Sequence, residues 1–136
     1  MRNLLLTLFI ATLSLPAPTL LGGDAPKAPA LHFKKDLGVQ DTVYGKLHLY
    51  EGLWPVRAVT PPYPRPALVA RVTGTVVMDV LIAEDGSVAD VRVRTSSGSA
   101  DLDAAGLAGI KRWRYPASPD QQRCVNIETY AFTIDG

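Results

Sequence analysis

The chain has 136 residues, 47% of them hydrophobic and 20% charged, with a formal net charge of +1 at pH 7. That length suits one domain rather than two, and the near-neutral balance gives no argument for a polyanion partner. Cys124 is the only cysteine, which excludes an internal disulfide and favours a buried thiol acting as a small hydrophobe.

The first residues, MRNLLLTLFIATLSL, place Arg2 before an apolar run from Leu4 to Leu15. The run is shorter than the roughly 20 residues a bilayer-spanning helix needs, and Pro16 and Pro18 stop any extension. The pattern is that of a secretory signal peptide rather than a membrane anchor. Gly22-Gly23 and Ala28-Pro29-Ala30 compete as its cleavage point, and no cysteine follows the run for lipoprotein processing. Residues 16–30, PAPTLLGGDAPKAPA, have the composition of a flexible or extended tether. The expected division is therefore a signal over 1–22 with its end anywhere in 16–30, a tether and extra segment over 23–60, and a domain over 61–136.

Within 31–60 only Val43–Tyr50 alternates, as a candidate extra strand that Gly45 weakens. Trp54-Pro55 and PPYPRPA, Pro61 to Ala67, keep the chain extended, because proline disfavours helix for the residue before it. Pro66 is a suitable first-turn residue for a short helix over Ala67–Val72, which Gly74 ends. Thr75–Ile82 then reads as a strand with Val76, Met78, Val80 and Ile82 on one face. Val77 and Leu81 make it apolar on the other face too, as a central strand requires. Glu84-Asp85-Gly86-Ser87 carries the Asp-Gly turn signature. It leads into a strand over Val88–Thr95, whose Ala89, Val91 and Val93 face a core and whose Asp90, Arg92 and Arg94 face water.

Ser99 or Asp101 can cap a helix over residues 102–114. Its stripe is Leu102, Ala105, Gly106, Gly109, Ile110 and Trp113. The two glycines on that stripe predict close approach of the helix backbone to a sheet, since each otherwise costs about 1 kcal/mol relative to alanine. Lys111, Arg112 and Arg114 are placed in the last turn, where cations complement the helix dipole. Cys124–Ile134 is the last strand. Its apolar phase slips between Ile127 and Tyr130, so it is either bulged or buried on both faces.

These parts predict an α+β fold: a three-stranded antiparallel sheet of order second, first, third, a right-handed crossover helix on one face and a short helix before the first strand. The last strand then has a free edge. Little chemistry accompanies it. His32, His48 and Cys124 lack metal-ligand spacing. Ser96-Ser97-Gly98 sits in no nucleophile elbow, and Asp101 and Asp103 have a helix start to serve. The basic residues form no nucleic-acid-binding motif. An enzyme is not expected, and neither is a cofactor.

Pro62-Tyr63-Pro64, Ala67, Gly74, VVMDVLI, Asp85-Gly86-Ser87-Val88, Ser96-Ser97-Gly98, Leu102-Asp103 and above all Lys111-Arg112-Trp113-Arg114-Tyr115-Pro116 together resemble the C-terminal domain of TonB-type energy transducers, from about Pro61 to Ile134. The resemblance implies a periplasmic domain that takes the peptide of an outer-membrane receptor as an added strand along its last strand. Carried over, the binding residues are Val125, Asn126, Ile127, Glu128, Thr129 and Tyr130, with Pro62, Tyr63 and Pro64 nearby. Trp113, Tyr115, Gly74 and Gly86 are then supports. Full transducers add a membrane-spanning helix with a histidine and a long Pro-rich linker, and these residues match neither. The alternative is a structural or self-associating envelope module, its edge covered by the stretch around Tyr44–Tyr50 or by a second copy.

Overall fold

The computed structural model describes residues 31–135. The signal and the 16–30 tether expected from the sequence lie outside the described residues. In chain order the elements are β1 (Lys35–Thr42), β2 (Gly45–Glu51), α1 (Arg65–Val69), β3 (Gly74–Ile82), β4 (Val88–Thr95), α2 (Ala100–Ile110) and β5 (Cys124–Phe132). Among the described residues no helix is long and apolar enough to cross a membrane.

The sheet has five strands in the order β1-β2-β5-β3-β4, which corrects the expected three. The predicted inner order survives, because β3 pairs antiparallel with both β4 and β5. The candidate extra strand is the second arm of a hairpin. Gly45 sits in its turn at φ 105°, and the Thr42 hydroxyl donates to the Gly45 carbonyl at 2.7 Å and accepts from the Tyr44 amide at 3.1 Å. A glycine that weakens a strand interior thus supplies the reversal that makes two strands.

β3 is buried on both sides, as its apolar run predicts. Val76, Met78, Val80 and Ile82 are wholly inaccessible and meet Leu102, Ile110 and Trp113 in the main core. Each contributes about 1.5–3 kcal/mol by leaving water. On the opposite face Leu81 packs with Leu49 and Val125. The β1–β2 hairpin folds across that second face: the Tyr44 hydroxyl donates to the Asp79 carbonyl at 3.3 Å, and the Arg92 guanidinium lies 5.1 Å from the Tyr44 ring centre. Asp79 is a buried carboxylate paired with Arg94 at 3.0 Å. The basic side of β4, expected simply to face water, therefore holds down the hairpin and neutralises a buried charge.

β5 resolves the slipped phase. It pairs with β3 in unbroken register from Cys124↔Ile82 to Phe132↔Gly74, so no bulge is present. Val125 and Ile127 belong to the second cluster, while Tyr130 and Phe132 belong to the first.

Both helices differ from expectation at their ends. α1 starts and stops earlier than Ala67–Val72, because Arg71 turns into the left-handed region at φ 53° and the Val72 amide closes on the Ala67 carbonyl at 2.8 Å. α2 is capped by Ser99, whose hydroxyl accepts from the Leu102 amide at 3.4 Å, and it ends at Ile110. Arg112 and Trp113 close tight three-residue turns onto Gly109 and Ile110, which swings the Trp113 ring into the core. Lys111, Arg112 and Arg114 accordingly lie beyond the last turn, and Arg114 instead bridges Arg57 and Ser87 through its backbone.

Candidate functional site

The last strand has two different outer edges along its length. Its first four residues are covered: β2 runs parallel to it, pairing His48↔Cys124, Leu49↔Val125, Tyr50↔Asn126 and Glu51↔Ile127. At Gly52, φ 64°, the chain turns away, and the Gly52 amide makes the final bond to the Ile127 carbonyl at 3.1 Å. Val125, Asn126 and Ile127 are therefore not on a free edge, contrary to the expectation from sequence. A pairing of four residues between segments some 75 apart in sequence leaves no local pattern to read.

Glu128 to Phe132 keep β3 as neighbour and have no strand on the other side among the described residues. Main-chain polar groups point to alternate sides with each residue along a strand. Because the Ile127 carbonyl points to the β2 side, the N–H and C=O of Thr129 and Ala131 point to the open edge. Both residues are also exposed. This is a short ladder of unpaired donors and acceptors, held in place by the β3 pairing behind it.

Beneath it lies a polar network. Asn126 is fully buried; its Oδ1 accepts from the Leu53 amide at 3.0 Å, and its Nδ2 donates to Glu128 Oε2 at 3.0 Å and to the Tyr115 hydroxyl at 3.3 Å. The Tyr115 hydroxyl in turn donates to Glu128 Oε2 at 3.3 Å. One carboxylate oxygen is thus held by two donors while Oε1 is left to the surface. Burial pushes the Glu128 carboxyl above its ordinary range, against the opposing pull of Asn126, Tyr115 and Lys34. Burial, and then the Glu128 charge, raises the Tyr115 phenol far above normal.

The four residues expected as supports have distinct jobs. Trp113 Nε1 donates to the Val59 carbonyl at 2.7 Å, which fixes the approach to the proline stretch. Tyr115 carries the network. Gly86 is at φ 89°, and a Cβ there would stand 2.0 Å from the Tyr115 carbonyl oxygen; the Tyr115 amide donates to the Gly86 carbonyl at 2.8 Å. Only glycine admits that contact. A Cβ at Gly74 would meet the Ser97 carbonyl at 2.7 Å.

The proline stretch reaches the far end of the open edge. The Tyr63 ring meets Phe132 edge-on at 5.5 Å, Phe132 meets Tyr130 at 4.9 Å, and the Tyr63 hydroxyl donates to the Val72 carbonyl. Pro64 is half-buried at the start of α1, Pro62 is exposed, and Pro61 is buried against Gly109. The structure so brings Tyr63 onto the strand residue Phe132, which in turn meets Tyr130, and it puts Val125–Ile127 behind β2.

Sequence reasoning missed the near end. Beyond Gly52 a groove of about 140 Å³ opens beside Glu128 and Thr129, walled by Lys34, Glu51, Trp54 and Pro55. Trp54 is 65% exposed, its ring tilted against His32 at 6.0 Å. The signal was Gly52-Leu53-Trp54-Pro55: a strand breaker followed by an aromatic that joins no core pattern.

The histidines and the cysteine do not gather. His48 faces Asp36 at 2.5 Å and stacks on Tyr50 at 4.4 Å, beside Cys124, while His32 stays with Trp54. Burial, with a smaller contribution from the Asp120 charge, raises the Cys124 thiol to about 11, far from a reactive thiolate.

Residues 59–135 match the family model described as the Gram-negative bacterial TonB protein C-terminal. The relatives called Protein TonB from two strains of Xanthomonas campestris pv. campestris are 38% identical over 58 residues, which is 43% of this chain and 26% of each relative. The chain thus spans about a quarter of the length of these relatives. The solution NMR structure of the Pseudomonas aeruginosa TonB CTD is similar at a TM-score of 0.52 and 20% identity, covering 78% of this chain and 96% of that one.

Proposed function

The chain belongs to the family of TonB C-terminal domains, and on that premise we propose that it is an exported, periplasmic binding domain. Its task is to capture an extended peptide of an outer-membrane receptor, or of another envelope protein, by strand addition, as part of TonB-dependent transport. The observation that carries this reading is the half-open strand. β5 is paired on both sides up to Ile127 and on one side only from Glu128 to Phe132. Strand addition draws its affinity from main-chain hydrogen bonds and its selectivity from alternate side chains. Thr129 and Ala131 supply the former here, and the face bearing Glu128 and Tyr130 supplies the latter. Relative to the site inferred from sequence, the binding stretch moves from Val125–Tyr130 to Glu128–Phe132.

The covering of Val125–Ile127 by β2 also supports the alternative of a self-associating module, in which two copies pair their open halves. Proline at Ala131 separates these readings from a merely structural edge. It deletes an outward N–H without removing a bond to β3, so a folded Ala131→Pro variant is expected. Pull-down from an envelope extract with the wild-type chain should recover a partner that the variant loses, and sedimentation should show a monomer for both. A dimer abolished by proline supports self-association. Equal capture by a folded variant sinks strand addition altogether.

A further inference from the structure

The groove at the near end of the open edge has the make-up of a site for one cationic side chain, and we infer that it selects a lysine or arginine on the added strand. The inference rests on the strand-addition reading and specifies the chemistry of its partner. A strand laid along Thr129 and Ala131 places one residue directly opposite Glu128, with both side chains on the same sheet face and their Cβ atoms about 5 Å apart. Glu128 is prepared for that neighbour. Asn126 and Tyr115 hold Oε2, fixing the plane of the carboxylate and leaving Oε1 to meet a donor.

Two further features favour a cation over a neutral donor. Glu51 and Glu128 against Lys34 leave the groove walls with one net negative charge, and Lys34 forms no ion pair with Glu128. Trp54, an exposed residue lining the same groove, has the ring type on which a cation binds best and along which an aliphatic stem packs. A carboxylate and an exposed aromatic residue lining one groove suit a long basic side chain. An acidic residue at the same position would face Glu128 and Glu51 and be rejected.

The test uses the full chain, labelled with ¹⁵N, and three blocked seven-residue Thr/Val peptides that differ only at the centre: lysine, norleucine or glutamate. Binding is followed at the amides of Thr129 and Ala131. The lysine peptide should bind about 5-fold more tightly than the norleucine peptide, from a favourable cross-strand charge pair. The glutamate peptide should bind most weakly, and the lysine advantage should shrink in high salt. Glu128→Gln should reduce lysine binding to the norleucine level, and Trp54→Ala, at an exposed position that leaves the fold alone, should lower it as well. Equal binding of lysine and norleucine, with shifts still centred on Thr129 and Ala131, would overturn cation selection and leave strand addition standing. Absence of shifts at those amides for all three peptides would overturn both.

Discussion

Replacing Asn126 with leucine tests whether the network under the open edge holds the strand in place. Asn126 is fully buried and bonded to three groups, the Leu53 amide, Glu128 and Tyr115. Leucine is close to it in shape, so little cavity or overpacking is added and the loss is mainly polar. The Leu53 residue is only 2% exposed, so its amide would lose its partner where water does not easily replace it. An unmet buried donor costs about 1–3 kcal/mol. Loss of the donor to the Glu128 carboxylate adds about 1.5 kcal/mol, the low end for a charged acceptor, because that half-buried group can partly rehydrate. The extra apolar burial of leucine offsets some of this, leaving about 3 kcal/mol. For a domain of this size that is a fall in Tm of about 12–24 °C. Urea unfolding followed by circular dichroism measures it, together with amide exchange at Leu53 and Thr129, which should both speed up. A loss below about 1 kcal/mol with an unchanged m-value would refute the argument, showing that the network contributes little beyond filling space.

Two more substitutions probe the same design. Gly109→Ala should destabilise by about 1–3 kcal/mol, because the new Cβ would lie 2.5 Å from a carbon of the stiff Pro61 ring; Gly106→Ala, whose Cβ would meet a Val76 methyl at 3.0 Å, should be near neutral once helix propensity is counted. Thermal melts of the pair check this, and an equal effect at both sites would contradict it. Glu128→Gln should flatten the pH dependence of stability. Burial raises the Glu128 carboxyl in the folded protein above its ordinary 4.5, so its contribution is fully present below 4.5 and is lost as pH rises through the folded value. Glutamine has no proton to lose. Unfolding free energies measured at intervals from pH 4 to pH 8 should therefore fall less in the variant, and parallel curves would remove the linkage.

Much of the fold was legible where neighbours in sequence are neighbours in space. The Asp-Gly turn and the alternation of Val76, Met78, Val80 and Ile82 declare their elements locally, Ser99 was one of two caps the sequence offered, and β4 begins and ends where its pattern does. Where the expectation failed, a distant contact decided. Gly45 reads as a flaw in one strand until β1 is seen to pair with β2. Arg94 reads as a surface charge until Asp79 is found buried beneath it. The slipped phase of β5 admitted two explanations, and only the hairpin packed on Val125 and Ile127 chose between them.

The candidate site divides in the same way. The chain alone placed a final strand beside the central one, expected over Cys124–Ile134 and observed over Cys124–Phe132. It also carried enough of the family pattern to suggest what such an edge does. Which half of that edge is open was decided by tertiary structure. Four residues of β2 meet four of β5, and Gly52 then turns the chain away at a positive φ. Parallel pairing between distant segments depends on where two surfaces come to rest, and no periodicity encodes that. The same turn leaves Trp54 beside Glu128, so the groove belongs to the fold rather than to any motif.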